Sequence, residues 1–124
     1  MTEDSNPTYA KVTAQKDEKP QPLRGVLHRF PRAILALAEC SRVGTEKRGI
    51  PLDDMSFADD PQSRVRYGEA LVRHLLAEAI EGPVNSDPAD QGLWHDVQEA
   101  WDVLARLECR LKQQELDPSP GPML

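Results

Sequence analysis

Apolar residues recur every three or four positions over three stretches of this chain, and nowhere do they alternate with period two. From Pro31 to Val43, PRAILALAECSRV sets Ile34, Leu37, Ala38 and Cys40 on one narrow stripe, widened by Leu35. Proline suits the first helical position and Gly44 stands just past the last periodic residue, so the spacing predicts a helix over 31–43. Gly44 to Asp60 carries turn formers and acids around isolated Ile50, Leu52, Met55 and Phe57, which reads as a loop with one short helical turn. A second helix is predicted to open at Asp60 as N-cap and Pro61 as first residue and to run to Glu81, before the Gly82-Pro83 stop. Val65, Leu71, Val72, Leu75, Leu76, Ala79 and Ile80 supply its apolar surface. The third is predicted from about Leu93 to Leu116, with Leu93, Val97, Trp101, Leu104, Leu107 and Leu111 at helical spacing.

The pattern therefore predicts an all-α fold, a bundle of three principal helices whose second and third form a long antiparallel hairpin. Residues 1–24 are rich in Pro, Lys, Asp, Gln and Thr and lack apolar periodicity, as does DPSPGPML at 117–124, so both ends read as flexible tails around a domain over 25–116. A sheetless domain of this size often hides part of its core by self-association, and a homo-oligomer is expected.

Composition narrows the classes. With 124 residues, 39% apolar and 29% charged, the chain has room for one globular domain. No run of about 18 apolar residues predicts a membrane span, and the N-terminus lacks the apolar segment of a secretory signal, so the chain reads as cytoplasmic. A net charge of −6 without a basic stripe disfavours broad binding to nucleic acid or to anionic membranes. Cys40 and Cys109 sit in helical patterns without CxxC spacing, as small buried hydrophobes would.

Chemistry enters with a repeated octet. His74 to Glu81 reads HLLAEAIE and His95 to Asp102 reads HDVQEAWD, each His-x-x-x-Glu-Ala-x-acid. Positions i, i+4 and i+7 of an α-helix fall within an arc of about 60°, so His74, Glu78 and Glu81 share one stripe and His95, Glu99 and Asp102 another. If the stripes face each other, carboxylates about 5 Å apart repel by about 3 kcal/mol at an effective dielectric of about 20, and a divalent cation relieves the strain. Imidazole beside carboxylate shifts the preference from Mg²⁺ toward Mn²⁺ or Zn²⁺. The competing reading is a solvated helix end, with His74 bonded to Glu78 one turn on.

Several segments together resemble a known family. DEKPQPL (Asp17 to Leu23), FPRAILALAECSRVGTEK (Phe30 to Lys47), RYGEALVRHLLA (Arg66 to Ala77), an acidic turn with Asp87 and Gly92, His95, and AWDVLARLE (Ala100 to Glu108) resemble phage-type dATP/dGTP diphosphohydrolase N-terminal domains. That family is similar in turn to the all-α MazG-like nucleoside triphosphate pyrophosphatases, whose metal site pairs Glu-x-x-Glu on one helix with Glu-x-x-Asp on the next. Carried over, the resemblance implies Glu78, Glu81, Glu99 and Asp102 as ligands of Mg²⁺ or Mn²⁺, and Arg73, His74 and His95 match recurrent positions. The chain departs at GTEKRGIPLDDMSF, where the family usually carries GAKKYG...NW, and Asp102 stands where Asn is more frequent.

The implied reaction is hydrolysis of a (deoxy)purine nucleoside triphosphate to monophosphate and pyrophosphate. His74 and His95 are then candidate ligands or proton-transfer groups. Lys47, Arg48, Arg66 and Arg73 are the cations expected near the triphosphate, against plain surface solvation, and Trp94 or Trp101 would either stack on a base or sit in the core. The His95-Asp96 dipeptide also suggests an HD-type phosphohydrolase, but that chemistry needs a further Asp on a later helix, and only Asp102 and Asp117 follow. The competing class is a non-catalytic helical interaction protein, phage-type or accessory, that retains the fold.

Overall fold

The computed structural model describes residues 19–118. The tails expected at 1–24 and 117–124 fall for the most part outside the described residues. Within 19–24 the chain is already entering one wide helical turn, Leu23–Leu27, closed by His28 N–H donating to Leu23 O at 2.8 Å.

Three long helices follow: α1 over Pro31–Arg48, α2 over Pro61–Glu81 and α3 over His95–Leu116. Short 3₁₀ turns at Ser56–Asp59 and Pro88–Asp90 connect them, and no strand forms among the described residues. The architecture is all-α, as the periodicity predicts. Asp60 caps α2 as expected, its Oδ1 accepting from the Gln62 N–H at 2.9 Å.

One boundary differs. The helix expected to stop at Gly44 continues to Arg48, because Arg42 pairs with Glu46 at 2.9 Å and Thr45 Oγ1 donates to Ser41 O at 2.8 Å across that glycine. The stop belongs to Gly49, whose φ of 68° is the left-handed cap conformation glycine adopts without a Cβ penalty. This extra turn carries Lys47 and Arg48 to the mouth of the site.

α2 and α3 run antiparallel, since Tyr67 meets Trp101 at a 5.3 Å ring separation while His74 meets His95 nearer the connecting loop. That loop folds back on itself, with Asn85 N–H donating to Leu93 O at 2.9 Å and His95 N–H to Pro83 O at 2.8 Å. α1 joins α3 through Trp101 Nε1–H donating to Ser41 Oγ at 2.8 Å. The Ser56–Asp59 turn is pinned on α3 by Gln113 Nε2–H donating to Ala58 O at 3.1 Å.

The interior is small and unusually polar. Val43, Ala58, Ala105 and Cys109 are its buried apolar residues, and Ser63, Asp90, His95, Gln98 and Asp102 are buried beside them. The large aliphatics of α2 face outward instead, with Val65, Val72, Leu75, Leu76 and Ile80 between 49% and 86% exposed. Trp94 is exposed too, whereas Trp101 is partly covered.

Candidate functional site

The buried polar residues form a connected network at the loop end of the hairpin. His95, 1% exposed, places Nε2 2.5 Å from Glu81 Oε2 and Nδ1 3.0 Å from His74 Nδ1. Glu81 also accepts from Ser86 Oγ–H at 2.6 Å, and these bonds, from Ser86 first and His95 second, hold its carboxyl below the usual range. An ionised Glu81 is matched by a proton on His95 Nε2, and in the bond between the two rings His95 Nδ1 is then placed to accept from a His74 Nδ1–H. His74 Nε2 is then left as an acceptor. Burial first, then the neighbouring His95, Arg73 and Lys47 against the opposing pull of Asp90, lowers the His74 pKa, which keeps that acceptor free at neutral pH.

His74 borders a cavity of about 540 Å³ between α1, α2, α3 and the Pro88–Asp90 turn. Lys47, Arg48, Arg66 and Arg73 all line it. Lys47 Nζ is held 3.3 Å from Asp90 Oδ1, which also accepts from Gln98 Nε2–H at 3.1 Å. Asn85 ties the same group together, donating to Asp90 Oδ2 at 3.2 Å and to Gln98 Oε1 at 2.9 Å. Arg66 reaches back to the α2 cap, Nη2–H donating to Asp60 Oδ2 at 2.6 Å.

Asp102 forms part of the cavity wall. Its Oδ2 is buried without a hydrogen-bond partner, and burial pushes its carboxyl up to about 6 despite the nearby Arg48 and Arg73. Cys40 also lines the cavity, but burial and the charges of Asp102 and Asp90 push its thiol up to about 11, so it is a neutral thiol and not a nucleophile.

The two sequence stripes do meet, in a register the spacing alone does not give. Glu78 and Glu99 come together with Asp96, each offering one oxygen within 4.8 Å of the others. Glu81 and Asp102 stand apart from that cluster. Seven residues of helix span about 10 Å, so in an antiparallel pair the end of α2 faces the start of α3, and Asp102 lies two turns farther along. Glu81 is engaged by His95, and Asp102 belongs to the cationic cavity. Hydrogen bonding to Glu78 and the Glu78 charge raise the Asp96 pKa, and Glu99 Oε2 is buried without a partner. This crowding of acids fits a divalent cation.

The spacing did not point to Asp90, Asn85, Gln98 or Asp96. Asp96 alone carries a local signal, in the His95-Asp96 dipeptide and in its i, i+3 relation to Glu99. The others are assembled by the folded-back loop.

A family model described as dATP/dGTP diphosphohydrolase, N-terminal, matches residues 10–119. The chain belongs to this family. Comparisons with curated proteins and with solved structures gave no match. The dATP/dGTP diphosphohydrolase N-terminal family is one of nucleotide hydrolysis, and three of the residues that carry the resemblance, Arg73, His74 and His95, lie at the network and cavity just described. Among the described residues no helix is long and apolar enough to cross a membrane.

Proposed function

We propose that this chain hydrolyses (deoxy)purine nucleoside triphosphates between the α and β phosphates, releasing a monophosphate and pyrophosphate, with Mg²⁺ or Mn²⁺ as cofactor. One observation carries the reading: Lys47 and Arg48 at the end of α1 and Arg66 and Arg73 on α2 converge on a single cavity that also presents His74. Such a concentration of positive charge in a concave site recognises a polyanion.

In this reading the four cations bind and orient the triphosphate, and Lys47 is aimed by its bonds to Asp90. Water adds at the α phosphorus as the bond to the bridging oxygen breaks, and His74 Nε2 takes the proton that the water loses. His95 and Glu81 fix the His74 tautomer from behind, so they position the base without touching substrate. Glu78, Asp96 and Glu99 would hold the metal ion. When bound, such an ion neutralises phosphate oxygens and lowers the pKa of the attacking water.

Self-association belongs to the same reading, because Leu76 and Ile80, 60% and 86% exposed, extend an aliphatic stripe that a second copy would cover. That stripe equally suits the rival reading, a non-catalytic helical interaction protein. The deciding experiment is pyrophosphate release from dATP and dGTP with millimolar Mg²⁺ or Mn²⁺, for the full chain and for Arg73→Ala. Hydrolysis that falls about tenfold or more in kcat/KM for Arg73→Ala supports the enzyme. A full chain that releases no pyrophosphate from either nucleotide and gains no thermal stability from Mn²⁺ supports the scaffold.

A further inference from the structure

A second cavity of about 610 Å³ lies on the other side of α1 and Trp101. Ser41 and Trp101 line both cavities, which makes the two neighbours across the Trp101–Ser41 hydrogen bond. Their chemistry is opposite. The first is lined by the cations Lys47, Arg48, Arg66 and Arg73 against the acids Asp90 and Asp102. The second is walled by Leu52, Met55, Phe57 and Leu104, and its charged residues are Asp54, Asp59 and Glu108 against Lys112 alone. Phe57 and Trp101, with centroids 6.0 Å apart at 45°, give that wall an aromatic surface.

A polyanion is repelled from such a cavity, while a flat neutral ring with N–H donors is accommodated. A ligand that fills both cavities therefore has a polyanionic end and an aromatic, donor-bearing end. We infer that the second cavity is the nucleobase subsite and that Asp54 and Glu108 select guanine, accepting hydrogen bonds from its N1–H and exocyclic amine. The inference rests on the nucleotide reading of the first cavity and adds a base, a location and two selecting residues to it.

Guanine alone among the common bases places two donors side by side on its Watson–Crick edge, which matches the paired oxygens of a carboxylate. Adenine sets a bare ring nitrogen beside its amine, and the lone pair of that nitrogen faces a carboxylate unfavourably. Hydrogen bonds to Ser56 hold the Asp54 carboxyl below its ordinary range, so it is an acceptor throughout the neutral region.

The test compares the full chain with Asp54→Asn and Glu108→Gln in two measurements: kcat/KM for dGTP and dATP, and calorimetric binding of deoxyguanosine and of tripolyphosphate. The expected result is a preference for dGTP over dATP of about tenfold or more, since a charged hydrogen bond is worth about that much. It should shrink severalfold in at least one variant. Deoxyguanosine, which carries no phosphate, should bind more weakly to that variant, while tripolyphosphate binding is retained. Equal use of dGTP and dATP, or a preference for dATP, overturns the inference and leaves the hydrolase reading standing. Carboxylate-dependent binding of deoxyguanosine by a chain that cleaves neither nucleotide upholds the subsite and removes the hydrolase. Deoxyguanosine binding that ignores both substitutions overturns the subsite.

Discussion

Asp102→Asn isolates the energetic consequence of placing a carboxylate in the cavity wall. Asp102 is 6% exposed, its Oδ2 has no partner, and burial raises its pKa from 3.8 to about 6. A raised carboxylate pKa means that the native state binds the proton more tightly than the unfolded chain does. The cost is absent below about pH 4, grows as pH rises through the interval between the two values, and is complete above about pH 6. At about 1.4 kcal/mol per pKa unit it reaches about 3 kcal/mol at pH 8, against less than about 0.6 kcal/mol at pH 4. Asparagine keeps the shape and removes the charge. Whatever constant penalty its amide introduces cancels when the two pH values are compared, so the stability of Asp102→Asn relative to the parent should improve by about 2.5 kcal/mol from pH 4 to pH 8. Urea unfolding of both chains in chelator-treated buffer at a series of pH values measures this directly. A difference that stays flat with pH refutes the burial argument. A difference of opposite sign would show instead that Arg48 and Arg73 outweigh burial and hold Asp102 below its ordinary value.

Two other perturbations test different parts of the molecule. Glu81→Ala leaves the His95 Nε2–H, on a side chain 2% exposed, without its carboxylate acceptor and should cost about 1.5–3 kcal/mol in urea unfolding, with Glu81→Gln recovering much of it. Indistinguishable stability of the alanine variant would mean that water replaces the carboxylate freely. Placing Lys at Leu76 and Ile80, both well exposed in the single chain, should shift the protein to a smaller species in sedimentation, and an unchanged sedimentation coefficient would remove the aliphatic stripe as the contact surface.

The parts of this fold that were legible in the sequence are those set by local chemistry. Asp60-Pro61 opens α2 and Gly82 closes it because a capping carboxylate, a fixed proline φ and a glycine φ of 96° act within a few residues. The end of α1 is not legible in this way, since Gly44 and Gly49 look alike in sequence and only the bonds of Thr45 and Glu46 back across Gly44 decide which one stops the helix. The repeated octets lie on two neighbouring helices, yet which acid meets which depends on the antiparallel register. That register sets Glu78 against Asp96 and Glu99 and gives Glu81 to His95. Asp90, Asn85 and Gln98 carried no periodic signal, because a loop folded back by two backbone hydrogen bonds brings them to Lys47. The cations were named through the family resemblance, and their meeting in one cavity is a tertiary fact that no spacing encodes.

The same register explains why site and surface have exchanged their usual composition. A helix hairpin ordinarily buries its aliphatic stripes against each other and leaves polar groups outside. Here the seam holds Ser63, Tyr67, His74, His95 and Asp102, while Val65, Val72, Leu76 and Ile80 point away from it. A fully buried aliphatic side chain contributes about 1.5–3 kcal/mol, and Val43 is the one large aliphatic among the described residues that reaches that state. A polar seam of this kind is stable only if its hydrogen bonds are complete, as around His95 and Asp90, and if the outward aliphatics are covered by something other than water. If the proposed self-association supplies that cover, stability and assembly are coupled through mass action, and unfolding should shift to higher denaturant as protein concentration rises. Among the described residues four buried side-chain atoms have no partner, Arg64 Nε, Glu99 Oε2, Asp102 Oδ2 and Arg106 Nε, and the two carboxylate oxygens lie where a cation or a polar ligand group would finish the seam.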